Sequence, residues 1–205
     1  MIEVEVKCQL SPEQERKLLE QATFISQETL ADVYYDLPTF ALLGRDWYLR
    51  TRNERFLLKV PAAEKGCLAA APKNMPRHEF EDEAVIAKAL GLAVDGQSLS
   101  HALKAAGYEP FFSYTHLRRK YKSGDIVIDL DRMDFGDFSI DKCEFELMVE
   151  APAMVAAAHQ RLCDFAKQFG ISTDQPVGKM VLLGLIKRVK PELYQRIEAA
   201  RATCK

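Results

Sequence analysis

Charged residues recur at alternate positions in several separate segments of this sequence. Near the N-terminus, Glu3, Glu5 and Lys7 alternate with Val4 and Val6, which is the period of a β-strand with one polar face and one apolar face. The same alternation recurs at Arg50 and Arg52, at Arg77, Glu79, Glu81 and Glu83, at Asp129 and Asp131, and at Glu144 and Glu146. One polar strand face is ordinarily solvated, but a face repeated on so many strands indicates a shared polar surface.

Both signs of charge are present on this predicted surface. Carboxylates are the hard oxygen ligands that Mg²⁺ and Mn²⁺ prefer, and the acidic set contains Glu3, Glu5, Glu79, Glu81, Asp129, Glu144 and Glu146. Guanidinium and ammonium groups bind phosphate oxygens, and the basic set contains Lys7, Arg50, Arg52, Lys59 and Arg118. A polyphosphate bound together with a divalent cation requires this mixture of charges.

The elements that must position these residues are mostly strands in the first three quarters of the chain. Alternating patterns predict strands at 2–9, 48–52, 55–60, 77–83, 111–121, 126–131 and 142–149. Helical patterns predict helices at 12–21, 84–92, 97–106, 152–169, 176–188 and 191–202, the first capped by Ser11. Residues 22–47 read as a loop with paired tyrosines, and residues 61–76 as an exposed loop rich in Ala, Pro, Lys and Gly.

Short local connections between the predicted strands favour an antiparallel sheet, so the fold class is α+β. If the sheet closes into a barrel whose apolar outside is covered by helices, the polar face becomes the lumen. No linker-like segment divides the chain. We therefore predict a single domain over residues 1–205, with a helical C-terminal part at about 152–202.

Bulk composition excludes several classes of partner. The 205 residues have a formal net charge of −2, so no global field points to nucleic acid or to an anionic membrane. The sequence contains no run of about 18 apolar residues, which is the length needed to span a bilayer. The chain opens on a charged strand instead of a signal peptide. The five cysteines lack metal-site spacing, which indicates reduced thiols. We expect a cytoplasmic protein, a monomer, with a small-molecule partner.

The order and spacing of these motifs resemble the CYTH, or triphosphate tunnel, family over nearly the whole chain. Glu3-Val4-Glu5-Val6-Lys7 is similar to the E-x-E-x-K signature of that family. The later matches are Leu49-Arg50-Thr51-Arg52 with Lys59, Glu79 with Glu81, Asp129-Leu130-Asp131, Glu144 with Glu146, and Lys179 in a C-terminal helix. The resemblance implies an antiparallel barrel of about eight strands and metal-dependent hydrolysis of a triphosphate.

The resemblance also implies a role for each site residue. The metal, Mg²⁺ or Mn²⁺ in its place, would be held by Glu3, Glu5, Glu81, Asp129, Glu144 and Glu146. The triphosphate would be bound by Lys7, Arg50, Arg52, Lys59, Arg118 and Lys179. We expect Lys59, placed beside two arginines, to act as a base together with Tyr34.

Three further segments resemble the thiamine triphosphatase branch of the family: residues 32–38 (DVYYDLP), 133–136 (MDFG) and 190–196 (KPELYQR). This branch implies release of the terminal phosphate of thiamine triphosphate. In the branch a tryptophan stacks on the thiamine ring, and Tyr48 occupies that position here. The alternatives are an inorganic or general nucleoside triphosphatase, a class IV adenylate cyclase, and a polyphosphate-binding module without catalysis.

Overall fold

The computed structural model describes residues 2–61, 77–94, 96–173 and 178–203, and it describes the side chains of all of these except 178–181 and 203. The strands are β1 (Ile2–Cys8), β2 (Thr23–Asp36), β3 (Tyr48–Arg52), β4 (Arg55–Pro61), β5 (Arg77–Phe80), β6 (Glu109–Ser123), β7 (Ile126–Asp134) and β8 (Ser139–Val149). The helices are α1 (Pro12–Leu19), α2 (Ala41–Gly44), α3 (Glu83–Ala89), α4 (Leu99–Ala105), α5 (Val155–Gln168), α6 (Gly178–Val189) and α7 (Pro191–Thr203).

The predicted fold class is confirmed. The eight antiparallel strands form a closed barrel in the order β1, β5, β4, β3, β2, β6, β7, β8. The predicted helix after Ser11 is present, and its cap is a capping box in which the Ser11 hydroxyl accepts a hydrogen bond from the Gln14 backbone N–H. The predicted loop at 61–76 lies, apart from Pro61, outside the described residues.

Two predicted boundaries are wrong. Residues 22–47 do not form one long loop, because they contain the 14-residue strand β2 and the short helix α2. The first half of β2 is exposed on both faces, so it lacks the apolar alternation by which strands are recognised. The strand predicted at 77–83 ends at Phe80, since the Asp82 carboxylate caps α3 by accepting from the backbone N–H groups of Ala84 and Val85.

The described residues gather into two compact units. The first unit, from residues 1–30 and 115–182, pairs β1 with β8, β8 with β7, and β7 with β6. Helix α5 packs on β1 and β8, and Leu162, Phe165 and Ala166 bury against the apolar parity of these strands. The polar parity therefore faces away from this core.

The second unit takes the described residues of 31–61, 77–114 and 183–203. In this unit β2 pairs with β3, β3 with β4, and β4 with β5. These strands lie over a core of Leu49, Leu58, Ile86, Leu99 and Leu103. The predicted β3–β4 hairpin is confirmed, and its two turn residues, Asn53 and Glu54, have φ of 46° and 68°. Positive φ at both positions matches the right-handed twist of the flanking strands.

Among the described residues, no helix is both long and apolar enough to cross a membrane. Cys8 and Cys143 lie opposite each other on β1 and β8, and both are buried free thiols. Cys163 on α5 is also free.

Candidate active site

Five of the predicted metal ligands lie together in the first unit. We call them the carboxylate cluster: Glu3, Glu5, Asp129, Glu144 and Glu146. Their oxygen atoms form two groups, Glu3 with Glu5 and Glu146, and Asp129 with Glu144 and Glu146, and within each group one oxygen per residue lies within 4.8 Å of the others. Glu146 belongs to both groups, so it is the central ligand of any cation held here.

Strand register brings these carboxylates together. Glu5 on β1 lies opposite Glu146 on β8, and Asp129 on β7 lies opposite Glu144. Because alternate residues share one face of a strand, Glu3 lies on the same face as Glu5. The apolar neighbours of these residues anchor the strands on the α5 core, so the carboxylates have fixed positions.

Cations surround Glu144. The Lys7 Nζ lies 2.6 Å from one Glu144 oxygen, Lys142 lies 3.1 Å from the same oxygen, and Arg118 lies 3.3 Å from the other. Burial would raise the pKa of Glu144, but these three cations hold it well below its ordinary range. In return, Glu144 and Glu5 outweigh the burial of Lys7 and raise the pKa of that ammonium group. Glu144 is therefore an anion.

Arg118 lies among carboxylates in this structure. Its guanidinium group binds both oxygens of Asp131, at 2.6 and 2.7 Å, and its Nη1 lies 2.5 Å from Asp129. Burial alone would raise the pKa of Asp131, but Arg118 and Lys142 lower it to about 2. Bidentate pairing of this kind fixes both partners. Arg118 thus orders β6, β7 and β8, whereas Arg119 points the other way, to Glu15 on α1.

Glu146 has the opposite electrostatic environment. Burial, together with the charges of Glu144, Asp129 and Glu3, raises its pKa to about 8. Burial likewise raises the pKa of Asp129, which Arg118 and Lys120 only partly offset. A carboxylate that is costly to ionise beside other carboxylates becomes stable as an anion when a cation is bound. The residues present therefore fit a divalent metal with oxygen ligands.

The second unit holds a basic cluster, which we define as Arg50, Arg52 and Lys59. Arg52 binds Asp32 through two hydrogen bonds of 2.8 and 3.0 Å, and Arg50 reaches the same carboxylate at 3.2 Å. Arg50 Nη2 also lies 3.5 Å from Glu79, and Lys59 Nζ lies 3.7 Å from that residue. These carboxylates orient the cations and leave them partly exposed.

Tyr34 lies beside this basic cluster. Its hydroxyl oxygen is 3.5 Å from Arg50 Nη1 and 3.5 Å from the Tyr114 hydroxyl. The two tyrosine rings stack with centroids 6.1 Å apart. Burial, with the nearby Tyr34 and Asp32, raises the pKa of Tyr114 well above its ordinary value, so the Tyr114 hydroxyl keeps its proton at neutral pH.

Tyr48 shares a strand face with Arg50 and Arg52, and its side chain is enclosed by two charged neighbours. Its hydroxyl donates a 2.9 Å hydrogen bond to Asp46, and the Arg77 guanidinium lies 5.1 Å from the ring centroid. Arg77 also pairs with Asp46 at 2.7 Å. One ring face of Tyr48 is therefore occupied by a cation.

One predicted metal ligand lies elsewhere, and the side chain of one predicted phosphate-binding residue is not described. Glu81 is exposed beyond the end of β5 and belongs to neither carboxylate group of the described residues. Lys179 lies in α6, and its side chain is outside the described part of the chain. Sequence reasoning missed four neighbours of the site residues, namely Asp32, Tyr114, Lys120 and Lys142, and it placed Arg77 on the polar face without assigning it a role. Parity with Arg118 and with Glu144 was the available signal for Lys120 and Lys142.

Comparison with known proteins identifies the family. The sequence profile of the CYTH domain matches residues 1–179. The thiamine-triphosphatases of Macaca fascicularis and Homo sapiens are both 27% identical to this chain, and each alignment covers 96% of the chain and 89% of the relative.

Solved structures show the same fold. The PH1819 protein of Pyrococcus horikoshii has a TM-score of 0.59 at 20% identity, covering 88% of this chain and 97% of that one. A Hippeastrum protein, described as a candidate adenylyl cyclase with dominant triphosphatase activity, has a TM-score of 0.52 at 14% identity and covers 88% of this chain and 93% of that one.

Proposed function

We propose, from the premise that this chain belongs to the CYTH domain family, that it is a metal-dependent triphosphatase. The observation that supports this most directly is the carboxylate cluster, in which Glu146 is shared by two groups of ligand oxygens. Thiamine triphosphate is the first substrate that we propose, because the two curated relatives are named for it. We further propose a monomeric, cytoplasmic enzyme.

We propose that the acidic residues bind the metal ion. We propose that Glu3, Glu5, Asp129, Glu144 and Glu146 hold Mg²⁺, or Mn²⁺ in its place. The chemistry supplied by a bound divalent cation is neutralisation of phosphate charge and activation of a water molecule. Water adds to the terminal phosphorus, the anhydride P–O bond breaks, and the products are orthophosphate and the diphosphate.

Basic residues bind the phosphate oxygens in this proposal. Arg50 and Arg52 are already oriented by Asp32, so little side-chain entropy is lost when a phosphate binds. Lys7, Lys59, Arg118 and Lys179 complete the proposed set. Lys59 is the proposed base that accepts the proton of the attacking water. Tyr48 is proposed to contact the group beyond the phosphates, because it lies two residues before Arg50 on the same face of β3.

The test is orthophosphate release from thiamine triphosphate, tripolyphosphate and ATP at equal concentrations, with Mg²⁺ and again with EDTA. We expect metal-dependent release, and at least about 100-fold less of it from Glu146→Ala. Glu150→Ala, at an exposed position just beyond β8, is the matched control. If no orthophosphate is released from any substrate, the hydrolase proposal is wrong. Formation of cyclic AMP from ATP would indicate a cyclase instead.

A second candidate substrate is inorganic tripolyphosphate, and the surroundings of Tyr48 favour it. Thiamine carries a positively charged ring, which binds best to an open aromatic face or an unpaired carboxylate. Here Arg77 covers one face of Tyr48 and also neutralises Asp46. Arg77 would attract an additional anionic phosphate group and repel a cationic ring.

Arg77→Met tests this choice between substrates. Removing the cation should raise the ratio of kcat/KM for thiamine triphosphate to that for tripolyphosphate by roughly 5-fold to 30-fold, since a cation over a partly buried ring is worth about 1–2 kcal/mol. Arg55→Met, at an exposed position on β4, should leave the ratio unchanged. An unchanged ratio in Arg77→Met would remove the reason for preferring the inorganic substrate.

A further inference from the structure

Among the described residues, the Tyr34 hydroxyl contacts the polar groups of Arg50 and Tyr114. Their donor and acceptor capacities determine whether Tyr34 donates its proton within the protein or to a ligand. Arg50 is a guanidinium group, which only donates hydrogen bonds, so its 3.5 Å contact must use a lone pair of the Tyr34 oxygen. The second contact, 3.5 Å to the Tyr114 hydroxyl, allows either oxygen to be the donor. The direction of that second bond therefore determines where the Tyr34 proton points.

A bound phosphate settles this direction. If Tyr34 donates to Tyr114, its proton is used within the protein, whereas a phosphate oxygen near Arg50 offers an anionic acceptor. Hydrogen bonds to an ionised acceptor are about twice as strong as bonds between neutral groups. The Tyr34 proton then goes to the phosphate, and Tyr114 donates to the lone pair of Tyr34 that Arg50 does not use.

We infer that Tyr114 is a positioning residue, which directs the Tyr34 hydroxyl proton toward a phosphate oxygen bound at Arg50. With both lone pairs of its oxygen occupied, Tyr34 is a hydrogen-bond donor to the substrate. This role replaces the base role that the sequence suggests for Tyr34. The inference rests on the proposed function in one respect, namely that a phosphate group binds at Arg50.

Packing around the pair supports a fixed arrangement. The stacked Tyr34 and Tyr114 rings are flanked by Phe111, 6.3 Å from the Tyr34 ring, and by Phe112, 6.1 Å from the Tyr114 ring. Phe111 in turn packs edge-on against Phe40. Rings held in this way retain their positions when a hydroxyl is removed, so tyrosine-to-phenylalanine variants isolate the hydrogen bond.

The experiment is a double-mutant cycle with Tyr34→Phe, Tyr114→Phe and the double variant. Tripolyphosphate affinity is measured by titration calorimetry in EDTA, where metal-dependent hydrolysis does not occur. Each single variant should bind about fivefold more weakly than the wild type, which is the effect of one hydrogen bond. The double variant should bind no more weakly than Tyr34→Phe, because Tyr114 acts through Tyr34.

Tyr35→Phe is the matched control, since Tyr35 neighbours Tyr34 on β2 but packs on Phe56 in the apolar core. It should leave the affinity unchanged, and all variants should keep the wild-type melting temperature. Additive losses, or no loss in Tyr114→Phe, would overturn the inference. A Tyr34→Phe variant that loses kcat but keeps its metal-free affinity would restore the base role and also overturn it.

The outcomes separate this inference from the proposed function. If the wild type binds tripolyphosphate but releases no orthophosphate from any of the three substrates with Mg²⁺, the hydrolase proposal fails and the cycle still judges Tyr114. If the wild type does not bind tripolyphosphate without metal, the inference falls, whereas orthophosphate release from the three substrates still judges the hydrolase proposal.

Discussion

Glu144 and Glu146 lie two residues apart on one face of β8, yet the pKa values of their carboxyl groups shift in opposite directions. Three cations contact Glu144 and hold its pKa low, whereas other carboxylates next to Glu146 raise its pKa to about 8. The distribution of lysine and arginine partners, and not burial alone, makes one glutamate an anion and leaves the other in need of a cation.

Glu146 should make the metal-free protein less stable as pH rises. Its pKa is 4.5 ordinarily and about 8 in the fold, so the folded state binds more protons between these values and stability falls from about pH 4.5 to about pH 8. In EDTA, the melting temperature of Glu146→Gln should exceed that of the wild type at pH 8 by at least ~2 °C.

Added Mg²⁺ should raise the melting temperature of the wild type at pH 8 but not that of Glu146→Gln, because a ligand that binds only the folded state stabilises it. Glu150→Gln, at an exposed position, is the control for the pH series. Parallel melting curves of wild type and Glu146→Gln between pH 5 and pH 8 would contradict the raised pKa.

The sequence predicts which residues share the polar face but not how they pair. Alternation identifies Glu3, Glu5 and Glu144 because side-chain direction follows parity. Pairing depends on register between strands that are distant in sequence, so the three cations around Glu144 could not be foreseen. Asp32 was missed because residues 22–47 read as a loop, and Tyr114 because its partner Tyr34 lies on the same unpredicted strand.

At the scale of elements, ion pairs on the polar face connect β6, β7 and β8. Arg118 on β6 contacts Asp129 and Asp131 on β7 and Glu144 on β8, and it is nearly buried. Lys142 on β8 returns to Asp131 at 3.0 Å. Strands of this kind depend on complete pairing, because a buried charge without its partner is costly.

Arg118→Met should therefore destabilise the protein by about 3–5 kcal/mol, as measured by urea unfolding in EDTA. Arg119→Met, one residue along the same strand, removes only a half-exposed pair with Glu15 and should cost less than about 1 kcal/mol. Equal losses for the two variants would show that the carboxylates around Arg118 find other partners.

Element prediction succeeded where local rules suffice and failed where they do not. The β3–β4 hairpin follows from two strands around a two-residue turn, and α1 follows from Ser11 and Pro12. Strand β2 was not predicted because its first half is exposed. Its formation depends on pairing with neighbouring strands and not on its own sequence pattern.

At the scale of the whole molecule, each compact unit has its own apolar core. Leu162 on α5 is fully buried in the first core and Leu58 on β4 in the second. The apolar parity of the strands supplies both cores, so the same alternation that places the charges also provides the stability that holds them in position.

Leu162→Ala and Leu58→Ala should each lower the free energy of unfolding by about 2–5 kcal/mol, because each deletes buried methyl groups and leaves a cavity. Urea unfolding measures the loss. Ile25→Ala, at an exposed position on β2, should change the free energy by less than about 0.5 kcal/mol. A loss confined to one of the two leucine variants would show that the other core relaxes around its cavity.

The pairing of β1 with β8 also sets an order of events during synthesis. Glu3 and Glu5 leave the ribosome well before Glu146, which supplies the third oxygen ligand of their group. Contacts between such distant residues form late, since the loop between them must close first. A nascent chain therefore cannot assemble this ligand group before β8 emerges, and metal binding there would report that β1 and β8 have paired.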